Sequence, residues 1–163
     1  FHKKAMKINE EVLPANHPDL ATSYNNVALT YGYLCDYNKS LEFGLKDIKI
    51  CKEVLPANHP SLATSYNNVA ETYRYLGDYN KSLEFHKKAM KINEEVLPAN
   101  HPSLAVSYWN IAATYYDLKK NELAKEYIDK SVDIFENALP ANHPYIKNAK
   151  SWQEVIYKAM GLL

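Results

Sequence analysis

The chain has 163 residues, 19 basic and 19 acidic side chains and a formal net charge of zero, which excludes the concentrated positive footprint that general nucleic-acid affinity needs. With 47% hydrophobic residues, 4 Gly and 8 Pro, the composition is not that of a disordered chain. No run approaches the roughly 18 apolar residues of a membrane span, and no signal peptide opens the chain, so neither nucleic acid nor membrane is expected as a partner.

One hexapeptide organises everything else. Leu13-Pro-Ala-Asn-His-Pro18 returns as Leu55–Pro60, Leu97–Pro102 and Leu139–Pro144, each copy 42 residues after the last. These four copies hold all 8 prolines. A fixed period of this length predicts a solenoid of stacked units without separate cores, in which only neighbouring units touch.

Taken in chain order, residues 1–18 come first. Phe1–Pro18 is identical to Phe85–Pro102, so it reads as the second helix of a truncated repeat, and the sequence is expected to be a piece of a longer array. Full repeats are expected over 19–60, 61–102 and 103–144, with a divergent or capping helix over 145–163. Together they would form one array over residues 1–163.

The second full repeat shows the pattern. Leu62, Ala63, Tyr66, Val69, Ala70 and Tyr73 fall at helical spacing and predict a helix from about Leu62 to Leu76. Gly77-Asp78 breaks it. A second helix is expected from about Asn80 to Leu97 through Leu83, Ala89, Met90, Ile92 and Val96, and Pro98 stops it. Two helices of this length joined by a short link must pack antiparallel. In the hexapeptide the second Pro opens the next helix, and either the Asn or the His before it can cap that start.

Small and large residues alternate by repeat. Ala28, Ala70 and Ala112 are equivalent, as are Ala89 and Ser131; Tyr24, Tyr66 and Tyr108 are equivalent, as are Tyr31, Tyr73 and Tyr115. Rings filling the space beside methyl-sized residues is how helix crossings reach solid-like density. Near the end, Ala149, Trp152, Val155, Ile156, Ala159, Met160 and Leu163 keep helical spacing, but the Tyr-Asn-Asn-Val-Ala run is gone.

Chemistry-bearing residues carry no reaction motif. His17, His59, His101 and His143 belong to different layers, about 8–10 Å apart per packed helix, whereas a zinc ion gathers its ligands at about 2 Å. No metal and no cofactor is expected. Cys35 and Cys51 are the two cysteines, at positions that hold no Cys in other copies, and are read as free thiols in a reducing, cytoplasmic setting. Acidic residues are expected on solvated faces. There is no phosphate loop and no nucleophile elbow, so the chain is not expected to be an enzyme.

The run Tyr66-Asn-Asn-Val-Ala70, then Tyr73, then Leu76-Gly-Asp-Tyr79, then Ala89, resembles a tetratricopeptide repeat. The 42-residue spacing and the closing Ala-Asn-His-Pro resemble the long-helix type found in kinesin light chains. The resemblance implies an all-α, right-handed superhelical solenoid of antiparallel helix pairs, with first helices lining a concave groove that binds peptides or docked helices. Laid on this chain, the family's groove positions fall on Thr22, Asn25, Asn26, Leu29 and Tyr33 in the first full repeat. In the second they fall on Thr64, Asn67, Asn68, Glu71, Arg74 and Tyr75, and in the third on Val106, Trp109, Asn110, Ala113, Tyr116 and Asp117.

The equivalent Asn26, Asn68 and Asn110 offer donors and acceptors at one height in successive layers. They either grip the backbone of an extended ligand or bond to neighbouring helices and stiffen the stack. Trp109 and Arg74 depart from the repeated consensus and are the candidates for partner selectivity. Arg74 near Glu71 and Asp117 makes the groove nearly balanced, unlike one built for acidic motifs. Gly44 and His86 replace the usual bulky residue of the second helix, and the link Gly77 is Cys35 and Lys119 elsewhere. A protein or peptide ligand is the expected partner, with self-association through exposed repeat ends. A structural spacer or self-assembling array, and a regulatory repeat region of a larger protein or enzyme, are the alternative functions.

Overall fold

The computed structural model describes residues 2–163. Among these the chain forms eight helices and no strand: α1 (His2–Val12), α2 (Pro18–Tyr33), α3 (Tyr37–Val54), α4 (Pro60–Tyr75), α5 (Tyr79–Val96), α6 (Pro102–Asp117), α7 (Asn121–Ala138) and α8 (Pro144–Ala159). The fold is all-α, a solenoid of antiparallel helix pairs. The helix expected over Leu62–Leu76 runs Pro60–Tyr75, and the one expected over Asn80–Leu97 runs Tyr79–Val96.

Each start of α2, α4, α6 and α8 is built the same way. The histidine before the proline is extended, and its Nδ1 accepts a hydrogen bond from the amide two residues on, at 3.1–3.2 Å. Of the two caps the sequence allows, His is therefore the one used; Asn16, Asn58, Asn100 and Asn142 are exposed in the turn. Proline follows at the first helical position, where its missing N–H costs nothing.

The links inside the pairs need a left-handed residue. Cys35 and Lys119 both have φ 58° and Gly77 has φ 80°. At the middle link the Gly77 amide donates to Arg74 O and the Asp78 amide to Tyr73 O, both at 3.0 Å, closing the helix end in the manner of a Schellman motif. Asp78 then caps α5 through the Lys81 amide at 3.2 Å, as Asp36 caps α3 through Lys39 at 3.3 Å.

The chain divides into two compact units, one ending at Ile92 and one spanning Asn93–Leu163. The core of the first gathers Leu20, Ile48, Ile50, Leu62, Val69 and Ile92 around the fully buried Ala89. Phe85 lies 5.8 Å from the ring of Tyr66 and 5.5 Å from that of Tyr73. The core of the second gathers Ala105, Val132, Phe135, Ile146 and Ala149. There Asp129 ties α8 to α7, accepting from Gln153 at 2.7 Å and Tyr157 at 2.8 Å while also pairing with Lys125 at 2.7 Å. Burial pushes the Asp129 carboxyl up, but these donors together hold it below the usual carboxylate range.

A polar bond recurs where a second helix meets the following first helix. Asn9 donates to Ser23 Oγ at 2.7 Å, and its repeat equivalent Asn93 donates to Ser107 Oγ at 2.8 Å. At the junction between them in sequence, Cys51 stands in the Asn position and Asp47 in the position of Ala5 and Ala89. Asp47 is 2% exposed, which corrects the expectation that acidic residues lie on solvated faces. Its backbone position belongs to the buried seam of α3, and the seam carries the carboxylate inward with it. Cys51 is buried and Cys35 exposed, both as unbridged thiols.

Candidate functional site

In the first unit, α2, α3 and α4 enclose an open cavity of about 440 Å³. Gly44 lines it, standing where the next repeats carry His86 and Ile128. A Cβ on Gly44 would lie 2.7 Å from Val69 Cγ2, so α3 approaches α4 there more closely than a side chain allows. Below, Ser40 and Thr72 share a hydrogen bond of 3.1 Å.

The cavity wall brings together Leu29 and Tyr33 from α2 with Asn68, Glu71 and Tyr75 from α4. Tyr37 of α3 also lines it and stacks on Tyr75, with centroids 4.9 Å apart and planes 9° apart. Tyr33 and Tyr75 are mostly exposed. The result is an aromatic rim over a half-polar floor, a shape suited to a bulky side chain.

The other expected groove residues of this unit lie outside that wall. Asn25 Oδ1 accepts the Asn68 side-chain amide at 3.0 Å. Asn67 Oδ1 lies 3.1 Å from His86 Nδ1. His86 is fully buried, and its Nε2 lies 3.3 Å from Glu71 Oε1, an ion-pair distance with poor hydrogen-bond geometry. Arg74 approaches Glu71 at 3.7 Å. Burial raises the Glu71 carboxyl, but His86 and Arg74 more than offset this and hold it below the ordinary range. Asn26 is half-buried, and its backbone carbonyl accepts from Thr30 Oγ1 at 2.8 Å.

In the second unit Trp109 is half-buried and meets the edge of Phe135 at a centroid distance of 6.4 Å. Tyr116 meets Trp152 edge-on at 6.0 Å. The Asn110 carbonyl accepts from Thr114 Oγ1 at 2.9 Å. Ala113 is buried, at 5% exposure.

Sequence reasoning placed Tyr37 in the link framework and missed it as a wall of the cavity. The available signal was Gly44 itself, since a missing side chain between two aromatic turns leaves their rings uncovered. Among the described residues no group of three or more His, Cys, Asp or Glu side chains is placed to hold a metal ion, and no helix is long and apolar enough to cross a membrane.

No curated protein matches the chain. Solved structures share its fold at low identity. One is a protein of Podosopora anserina assigned as a kinesin light chain with nearly identical TPR-like repeats, 22% identical, with a TM-score of 0.85 over 98% of this chain and 76% of that one. Another is BtubC (BKLC) from P. vanneervenii, 20% identical, with a TM-score of 0.88 over 99% of this chain and 64% of that one. The first TPR of Spaghetti (RPAP3), solved bound to the HSP90 peptide SRMEEVD, is 16% identical, with a TM-score of 0.65 over 89% of this chain and 96% of that one. Two family models described as tetratricopeptide repeat match the sequence, one over residues 45–95 and 61–137 and the other over residues 20–61. By these matches, which take in most of the helix pairs, the chain belongs to the tetratricopeptide-repeat family.

Proposed function

We propose that this chain is a non-enzymatic protein-interaction module that holds an extended partner segment against its first helices. The observation that carries this reading is the cavity over Gly44, rimmed by Tyr33 and Tyr75 and floored by Asn68 and Glu71. A large side chain of the partner would enter it. Rigid aromatics in a partly desolvated hollow are typical sites of binding energy. The peptide-bound RPAP3 structure is a precedent for such use of the fold.

The finer reading follows from the same features. The 42-residue period and the Ala-Asn-His-Pro closure favour the kinesin-light-chain type of repeat, in one array of full repeats over 19–60, 61–102 and 103–144 followed by a divergent helix. The groove residues would be Asn25, Asn26, Asn67, Asn68, Glu71, Arg74 and Tyr75 with Trp109, Asn110, Ala113 and Tyr116. Glu71 beside Arg74 leaves no net positive field there, so the partner would not be selected for acidity. The exposed thiol of Cys35 suits a reducing, cytoplasmic setting.

The test is affinity capture with the wild-type chain and with a folded Y33A/Y75A variant, together with W109A and R74A and a control substitution on the solvent face of α5. Discrete partners lost on Y33A/Y75A and kept by the control support the reading. Partners retained by every variant would overturn it. Concentration-dependent polymers with no captured partner would favour the spacer alternative.

A further inference from the structure

A second cavity, of about 270 Å³, opens between α2 and α4 with α3 beneath it. Its floor is Asp47 and Cys51. Its walls are apolar on one side, from Ala21, Val54 and Leu55, and hydroxylated on the other, from Thr64 and Ser65. Asp47 is 2% exposed, and its Oδ2 has no hydrogen-bond partner. Oδ1 is taken by the Cys51 thiol, which donates at 3.2 Å. Ser65 lies close enough to act on the carboxyl, but its one hydroxyl proton goes to Ser61 O at 3.1 Å. A hydroxyl has a single proton to give, so Oδ2 remains without a donor.

A buried carboxylate oxygen with no donor is expensive, and the chain itself shows the cheaper solution. The equivalent positions hold Ala5 with Asn9, Ala89 with Asn93, and Ser131 with Phe135. Those asparagines satisfy Ser23 and Ser107 with no charge in the seam. Only the copy that lines this cavity carries Asp and Cys instead. Of the two copies that depart from the Ala and Asn pairing, this is the one that places a carboxylate in the seam, and such a departure is where function is to be sought.

We propose that this cavity is a receptor for a lysine side chain of the partner polypeptide, whose ammonium supplies the missing donor to Asp47 Oδ2. Three features select that group. Only Oδ2 lacks a partner while Oδ1 already holds the Cys51 thiol, which disfavours the two-pronged bond of a guanidinium, whereas a compact ammonium needs a single acceptor. The ammonium's remaining protons face the Thr64 and Ser65 hydroxyls. The four-carbon stem matches the apolar wall of Ala21, Val54 and Leu55. This deepens the interaction reading above and rests on it for the source of the lysine, while the cavity is testable alone.

The experiment is a titration of the whole chain with n-butylammonium chloride, a lysine side chain without its backbone, at constant ionic strength. Amide shifts are followed by two-dimensional NMR. N-butylguanidinium chloride and 1-butanol serve as comparisons. Saturating shifts are expected at Ala21, Thr64 and Ser65, with a response to the guanidinium and in the Asp47→Asn and Asp47→Ala variants weaker on the order of tenfold. Alanine already occupies this place in two other copies, so Asp47→Ala folds, and the same spectra verify it. No saturating shift, an equal response to the guanidinium, or a response that survives Asp47→Ala would each overturn the proposal. None of these outcomes bears on capture through the Gly44 cavity, which is read by the Tyr33 and Tyr75 substitutions.

Discussion

Asn68 of α4 donates its side-chain amide to Asn25 Oδ1 of α2 at 3.0 Å, a bond between successive first helices. The donor capacity that the sequence offers for gripping a ligand is therefore partly spent on the stack. An N68A variant is expected to lose about 1 kcal/mol of stability, a Tm lower by about 2–4 °C. N25A should cost a similar amount and N25A/N68A less than their sum, since the pair forms one bond. Thermal unfolding of the three variants measures this, and a fully additive double mutant would contradict the pairing.

The links give a prediction with both signs. Cys35 and Lys119 hold φ 58° and Gly77 holds φ 80°, in a region that costs a residue with a Cβ about 1–2 kcal/mol. C35G and K119G should each raise stability by up to about 1 kcal/mol, because the added freedom of glycine in the unfolded chain takes back part of the relief. G77A should lower it by about 1 kcal/mol. Denaturant midpoints at unchanged slope are the readout.

How much was legible follows from what each residue announces. The helix bounds were, because proline can stand only at certain places and the hexapeptide repeats it. Which of Asn58 or His59 caps α4 was not, since both side chains can accept a bond and only the turn geometry chooses. The cavity over Gly44 was half-legible: a glycine in the place of His86 and Ile128 predicts thinning, but not that Tyr37 would stack on Tyr75 at its edge. Asp47 was hidden. Among lysines a carboxylate reads as a solvated face, and only its register with Ala89 puts it in the seam.

The histidine caps predict an asymmetry within one tetrapeptide. His59 Nδ1 accepts from the Ser61 amide at 3.2 Å, whereas Asn58 is exposed. H59A is expected to cost about 0.5–2 kcal/mol and H59N much less, because asparagine supplies its own acceptor. N58A should stay within about 0.5 kcal/mol of wild type. A larger loss from N58A than from H59A in thermal unfolding would reassign the cap.

Asp47 gives the pH dependence. Burial drives its carboxyl above the ordinary value of 3.8, with the nearby Ser65 hydroxyl and the bond from the Cys51 thiol opposing but not cancelling this. The neighbouring Cys51 thiol is itself pushed up to about 12 by burial and by the Asp47 charge, so it stays protonated across the range of interest. A group whose folded pKa is raised binds its proton more tightly in the native state. Its stabilising contribution is then complete below the unfolded pKa and is lost as pH rises through the folded one. Asp47→Ala removes this loss and restores the residue of the neighbouring copies. The variant should therefore be more stable than wild type at neutral pH, by about 1–3 kcal/mol, and the gap should narrow on acidification towards the ordinary carboxylate range. Unfolding midpoints of both proteins from pH 4 to pH 8 would measure it; a gap that widens on acidification would mean that Asp47 is stabilised in the fold as an anion.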